Sequence, residues 1–204
     1  MCRKLLLATN NPGKVGEFRS MLSGLGFELV TPGDAGITTR VEETGSTYEE
    51  NARLKAVTFA AQSGMLSLAD DSGLEVDALG GEPGVRSARY AGEKASDAER
   101  VRFLLGTLAG VPWEKRKARF CCVIALATPA GDIAVREGEC RGMITFEPKG
   151  AFGFGYDPIF YFPELGKTMA ELLPDIKDRI SHRARAAAKA REVIGRVPFT
   201  GGAI

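Results

Sequence analysis

The apolar positions of this chain fall into two rhythms. Lys4 to Thr9, KLLLAT, is a short apolar run that predicts a buried strand. From Val15 to Leu25 the apolar residues Val15, Phe18, Met21, Leu22 and Leu25 recur at helical spacing. Gly26 stands where a helix-ending glycine belongs. Phe27–Val30 predicts a second strand, and residues 31–45, with Pro32, Gly33, Gly36 and Gly45, read as loop. A strong helix is predicted from Ser46 to Ser63. Two overlapping capping boxes, Ser46 with Glu49 and Thr47 with Glu50, mark its start, and Gly64 ends it. Leu66–Ala69 then reads as a buried strand feeding Asp70-Asp71-Ser72-Gly73.

Residues 73–94 are glycine-rich and irregular. Ser96–Leu108 predicts another capped helix, with Glu99 three residues after Ser96. Arg119–Ala127 and Ile133–Glu139 predict strands joined by the turn Pro129-Ala130-Gly131-Asp132. Residues 148–158 are again glycine-rich. Pro158–Phe162 predicts a short strand, Thr168–Leu173 a short helix and Ser181–Ile194 a long one. Alternating strands and helices followed by a hairpin predict an α/β protein with a mixed sheet.

Composition narrows the class. At 204 residues, 44% hydrophobic and 26% charged, the chain is an ordinary globular one, expected to form a single domain over 1–204. A net charge of +1 gives no pull toward nucleic acid or a membrane surface. The longest apolar run, Cys121–Ala127, is too short to span a bilayer, and no signal-peptide core precedes the first strand. The 4 cysteines form no CxxC pair, so they are expected to be small buried hydrophobes in a reducing cytoplasm.

Candidate chemistry starts with Thr9-Asn10-Asn11-Pro12-Gly13-Lys14. It has the outline of a phosphate loop but not the Walker sequence. Ala8 replaces the first glycine, and Val15 the metal-binding hydroxyl. A strand delivering a polar loop to a helix N-terminus still attracts anions. Thr9, Asn10 and Asn11 offer neutral donors and Lys14 a point charge; an ordinary Asn-Pro-Gly turn is the competing reading. Glu42-Glu43 and Asp70-Asp71 form two acidic pairs, the second at the end of a predicted strand, where open α/β sheets keep their sites. Such hard oxygens suit magnesium, and a metal with a nearby carboxylate can position water and take its proton. A surface turn is the alternative for Asp-Asp-Ser-Gly.

Asn51 and Lys55 share a helix face and could look toward the same carboxylates. Phe152-Gly153-Phe154-Gly155-Tyr156-Asp157-Pro158 interleaves aromatics, whose faces stack on bases, with glycines; buried core rings are the alternative. Ile180-Ser181-His182-Arg183 opens the last helix with the only histidine and with an arginine misplaced for the helix dipole unless something anionic meets it.

Together these segments resemble the inosine/xanthosine triphosphate pyrophosphatases, house-cleaning enzymes for noncanonical purine nucleotides. The matching stretches are ATNNPGKVGEF, EETGSTYEENARLKA, LADDSGLEVDALGGEPGVRSARYAG, FGFGYDPIF and KDRISHR, in family order across nearly the whole chain. The resemblance implies an elongated mixed α/β fold of two lobes around a central nucleotide cleft, a cytoplasmic homodimer and magnesium dependence. The implied reaction converts a nucleoside triphosphate (ITP, dITP or XTP) and water to the monophosphate and pyrophosphate. By the same resemblance Thr9, Asn10, Asn11, Pro12, Gly13 and Lys14 cradle the triphosphate. Glu42 and Asp71 hold magnesium, with Asp71 also the base, Lys55 balances the carboxylates or touches phosphate, and Ser72 contacts substrate. Phe154, Gly155, Tyr156, Asp157, Lys177, His182 and Arg183 enclose base and sugar. Competing readings are a related pyrophosphatase for modified pyrimidine nucleotides, a nucleotide-binding module without turnover, and a P-loop kinase, which Ala8 and Val15 disfavour.

Overall fold

A computed structural model describes residues 3–196. Its strands are β1 (Arg3–Leu7), β2 (Phe27–Val30), β3 (Leu66–Val76), β4 (Lys117–Ala127), β5 (Ile133–Ile144), β6 (Phe160–Phe162) and β7 (Lys167–Thr168). Its helices are α1 (Pro12–Met21), α2 (Tyr48–Ser63), α3 (Asp97–Thr107), α4 (Pro174–Ile180) and α5 (His182–Arg196). The described strands join in one seven-stranded sheet, order β2-β1-β3-β4-β5-β6-β7. β1 pairs in parallel with β2 and β3, and β6 pairs antiparallel with β5 and β7, so the sheet is mixed, as the element order predicts.

The chain divides into two compact units. The first takes residues up to Asp71, Cys122–Gly138 and the chain from Arg183 on; the second takes Ser72–Cys121 and Glu139–His182.

In the first unit the period-two alternation of β1 and β3 builds two cores, one on each face. Leu5, Leu7, Leu66 and Leu68 meet Phe18 and Leu22 from the α1 segment and Ala186, Ala187, Ala190 and Ile194 of α5. Leu6 and Ala69 meet Ala52, Ala56, Phe59 and Ala60 of α2. The alanines let α2 and α5 approach the sheet closely. Phe18 is fully buried, and truncating such a ring costs about 3–5 kcal/mol. The core of the second unit gathers Leu74, Val76, Leu104, Phe120, Ile144, Phe160 and Met169.

Several boundaries differ from the sequence reading. α1 starts at Pro12 rather than Val15 because Asn11 caps it and proline fits the first helical position. It ends at Met21, well before Gly26. The helix expected from Ser46 is α2, and of its two candidate boxes Thr47 with Glu50 is the one formed at the cap. β3 does not stop at Ala69 but runs through Asp70-Asp71-Ser72-Gly73 to Val76. Turn-forming residue types yield there because cations and an amide meet both carboxylates, as described below. β5 reaches Ile144, where it pairs with β6. Thr168–Leu173 is not an α-helix: Thr168 ends β7 and caps one 3₁₀ turn, Met169–Glu171. α4 has seven residues, too few for its periodicity to stand out. No helix among the described residues is long and apolar enough to cross a membrane.

Candidate active site

The strand–loop–helix at the start of the chain caps itself. The Thr9 hydroxyl accepts from the Asn11 amide at 3.2 Å, and Asn11 Oδ1 accepts from the Lys14 amide at 3.1 Å. The Val15 amide bonds to the Asn11 carbonyl, and Pro12 has no N–H. Gly13 is therefore the first-turn residue whose amide has no acceptor among the described residues, fewer open donors than a bare helix end offers. Asn10, Asn11 and Pro12 are exposed and Gly13 and Lys14 half-buried.

Asp70 and Asp71 are adjacent in β3, so their side chains leave opposite faces of the sheet. Asp70 lies on the α1/α5 face, and its Oδ2 is 2.9 Å from Lys14 Nζ and 3.3 Å from both Nε and Nη2 of Arg183. Arg183 also donates from Nη1 to Glu17 Oε2 at 2.6 Å. These two carboxylates answer the apparent misplacement of an arginine at a helix start. Burial pushes the Asp70 carboxyl up, but Lys14, then Arg183 and Lys55, more than offset it and hold the group well below the usual carboxylate range.

Asp71 lies on the α2 face. Its Oδ2 accepts from Asn51 Nδ2 at 3.0 Å, and its Oδ1 is 3.9 Å from Lys55 Nζ. Asn51 is itself fixed, since its Oδ1 accepts from the Gly45 amide at 2.8 Å. Gly45 permits this approach: a Cβ there would lie 2.7 Å from Asn51 Oδ1. Lys55 Nζ reaches Glu43 Oε1 at 2.5 Å and the Asp70 carbonyl at 2.6 Å. Burial works against the lysine's charge, but Asp70, Asp71 and Glu43 outweigh it and keep the ammonium above its ordinary pKa. For Asp71 burial dominates and raises the pKa, with Glu43 adding to it and Lys55 and Asn51 opposing. A buried carboxyl raised in this way is suited to accept a proton.

By the family resemblance Glu42 is the expected partner of Asp71 at a metal. The carboxylate the structure brings to Lys55 is that of Glu43, whereas Glu42 is exposed. Among the described residues no group of three or more His, Cys, Asp or Glu gathers for a metal. Magnesium asks for less, one or two carboxylates with water and phosphate completing the shell. Asp71, whose charge is disfavoured by burial and by Glu43, is a hard-oxygen group that a cation would stabilise, so the donor set fits such an ion.

The second unit holds the remaining candidates. Ser72 is half-buried in β3. In the loop after Gly150, the Phe154 amide donates to Asp157 Oδ2 at 2.8 Å and the Gly155 amide to Asp97 Oδ2 at 2.7 Å. Asp157 also pairs with the buried Lys177, whose ammonium lies 4.8 Å from the Phe154 ring centre. Gly153 has φ 76°, and a Cβ there would fall 2.0 Å from Asp157 Oδ2, so only glycine fits. Tyr156 is buried in the core cluster, its hydroxyl donating to the Ser87 carbonyl at 2.9 Å. Phe154 is half-exposed and Phe152 exposed. His182 stacks on Phe120, ring centres 4.7 Å apart, with Nδ1 4.0 Å from Cys140 Sγ. Cys122 and Cys140 are buried as expected, Cys121 is half-buried, and Cys2 lies outside the described residues.

Glu17, Asp97 and Ser87 carry no expected role in the sequence; Asn51, expected to look toward the acidic pairs, meets Asp71, and the carboxylate on Lys55 is Glu43, one of the acidic pair but not the residue expected at the site. For Glu17 a signal existed, since it stands three residues after Lys14 on α1 and thus on the same face. Asp97 and Ser87 act across long sequence separations, with no local mark.

The model of the Ham1 family matches residues 5–193. A protein named dITP/XTP pyrophosphatase from Desulforamulus reducens is 52% identical over 194 residues, which is 95% of this chain and 96% of that protein. A Ham1 protein from Coxiella burnetii has a solved structure with TM-score 0.85 and 42% identity, covering 94% of this chain and 98% of that one. A nucleoside-triphosphatase, or dITP/XTP pyrophosphatase, from Mycobacterium abscessus has TM-score 0.73 and 44% identity over 92% of this chain and 97% of its own.

Proposed function

The chain belongs to the Ham1 family, and we propose that it hydrolyses noncanonical purine nucleoside triphosphates, dITP and XTP among them, to the monophosphate and pyrophosphate. One observation carries the reading to atoms: Asp71, a buried carboxyl with a raised pKa, is oriented by Asn51 beside the charged Lys55.

Asp71 takes the proton of a water whose oxygen bonds to the α-phosphorus, the bond from that phosphorus to the α–β bridging oxygen breaks, and pyrophosphate leaves. Lys14 and Lys55 offset the charge of the triphosphate, which Thr9, Asn10, Asn11, Pro12 and Gly13 hold beside the start of α1. Asp71 and Glu42 would hold a divalent ion, Mg²⁺, which would neutralise phosphate charge. Ser72 touches substrate. Phe154 stacks on the base; Gly155, Asp157 and Lys177 hold that ring in place, with Tyr156 anchoring the loop through its buried hydroxyl. His182 and Arg183 donate to the purine carbonyl. The names of the relatives and the purine-type SHR and FGYDP segments favour purine over modified pyrimidine substrates. The enzyme is a homodimer of the cytoplasm by the family resemblance, and Cys121, Cys122 and Cys140, none of them in a disulfide, suit a reducing compartment.

The test is pyrophosphate release from dITP, XTP, dATP, dGTP and a modified pyrimidine triphosphate, with and without Mg²⁺, and light scattering for the dimer. Release confined to dITP and XTP with Mg²⁺ is expected. Equal release from dATP, or none from any triphosphate, would refute the reading.

A further inference from the structure

Asp70 is the meeting point of three cations. Its Oδ2 touches Lys14 and Arg183, and its carbonyl accepts from Lys55. Its side chain is 1% exposed, and Oδ1 is buried with no hydrogen-bond partner among the described residues. A magnesium ligand must share its ion with water and phosphate. A general base must reach a water molecule. A carboxylate closed in by two cations, on the face opposite Asp71, is placed for neither task. It is well placed to fix long, flexible side chains, whose ordering otherwise costs entropy at every binding event.

We propose that Asp70 is a positioning residue that holds Lys14 and Arg183 in place for an anionic substrate and takes no part in metal binding or proton transfer. The lysine ammonium has three donors. One on Asp70 leaves two for phosphate, so Lys14 grips the substrate without leaving its anchor. The inference rests on the phosphate role given to Lys14 above. It deepens that role, because a residue that contacts no substrate sets the strength of the grip.

The experiment is a double-mutant cycle read by calorimetry, titrating metal-free inorganic tripolyphosphate into the wild type, Asp70→Asn, Lys14→Gln and the double variant. Each single change is expected to weaken binding about tenfold, the scale of one charge-assisted hydrogen bond. The double variant is expected to bind no more than about threefold more weakly than Lys14→Gln alone. In turnover assays, Asp70→Asn is expected to raise KM more than it lowers kcat and to leave the half-saturating Mg²⁺ concentration unchanged. Losses that multiply, tighter binding in Asp70→Asn, or a shifted Mg²⁺ requirement each overturn the proposal. If circular dichroism finds Asp70→Asn unfolded, Asp70→Glu takes its place: it keeps the charge, displaces the anchor, and must show the same non-additivity with Lys14→Gln. Failure of the wild type to release pyrophosphate would refute the proposed function and leave the tripolyphosphate cycle as the measure of Asp70.

Discussion

Asn51 donates a hydrogen bond to Asp71 at 3.0 Å, and both side chains are buried on the α2 face of the sheet. The bond favours the charged form of Asp71, against burial, which favours the neutral one. Removing the donor therefore raises the Asp71 pKa further. Asn51→Ala is expected to move the acid limb of the kcat/KM–pH profile to higher pH, with stability lowered by about 1–3 kcal/mol for the group left unsatisfied. A pH profile that keeps its acid limb while the rate falls would separate Asp71 from that limb.

Asp71→Asn is nearly isosteric but cannot accept a proton as a carboxylate does. Pyrophosphate release is expected to fall to a small fraction of the wild-type rate, with the thermal unfolding midpoint little changed or raised, since a buried charge is removed. A variant retaining most of its activity would place the base elsewhere.

The sequence carried the mixed sheet and the element order as far as β6, because hydrophobic periodicity and glycine punctuation are local signals, but not β7 and α4, which are too short to show a period. It also located the chemistry-bearing segments, but not how residues inside them divide. Asp-Asp-Ser-Gly reads as a turn, and only the partners gathered from α1, α2 and α5 show why it stays extended. Asp70 and Asp71 look alike in sequence, yet strand alternation sends one to Lys14 and Arg183 and the other to Asn51 and Lys55. Glu42 and Glu43 likewise differ only in which way the loop turns them. Tyr156 and Phe154 belong to one aromatic motif, but a distant carbonyl, that of Ser87, holds the tyrosine in the core. Such assignments depend on tertiary contacts, which no single segment encodes.

The acid stability of the fold should follow Asp70. Its folded pKa is depressed, because Lys14, Arg183 and Lys55 outweigh the cost of its burial. The unfolded chain then takes up the proton first. The stabilisation is fully present above the ordinary carboxylate pKa of about 4 and is lost as pH falls below it. Denaturant midpoints of the wild type are expected to drop between about pH 5 and pH 3. Asp70→Asn should be less stable by about 3–5 kcal/mol at pH 7, because the buried Arg183 loses one of its two carboxylates and Lys14 loses its own, and its midpoint should fall less steeply across that window. An equally steep fall in the variant would assign the acid transition to other groups.

Gly153→Ala tests the loop that carries Phe154. The new Cβ meets the Asp157 carboxylate and is strained at positive φ, so the clasp of Asp157 on the Phe154 amide and Lys177 must shift. KM is expected to rise by similar factors for dITP and XTP, since ring stacking does not distinguish bases. A selective loss of one base would show that the loop reads hydrogen-bonding groups.

Base selectivity separates two roles of Arg183. Hypoxanthine and xanthine carry a carbonyl at C6 where adenine carries an amino group, and a guanidinium can only donate. A donor meets the carbonyl and faces the amino group unpaired, which is how a site rejects a near-isostere. Arg183 is also buried against Glu17 and Asp70, so Arg183→Ala would take a cation from two carboxylates and confound stability with recognition. Arg183→Lys keeps the charge and loses the planar fork. It is expected to lower kcat/KM for dITP about tenfold to a hundredfold, the scale of one charged hydrogen bond, and to narrow the dITP/dATP ratio. It should not rescue dGTP in proportion, because guanine carries the same C6 carbonyl. Glu17→Gln is the control, disturbing the ion pair without touching the base, and should leave the dITP/dATP ratio near that of the wild type. Measuring kcat/KM for dITP, dATP and dGTP in both variants decides the matter. An unchanged dITP/dATP ratio in Arg183→Lys would reduce Arg183 to a partner of Asp70 and Glu17.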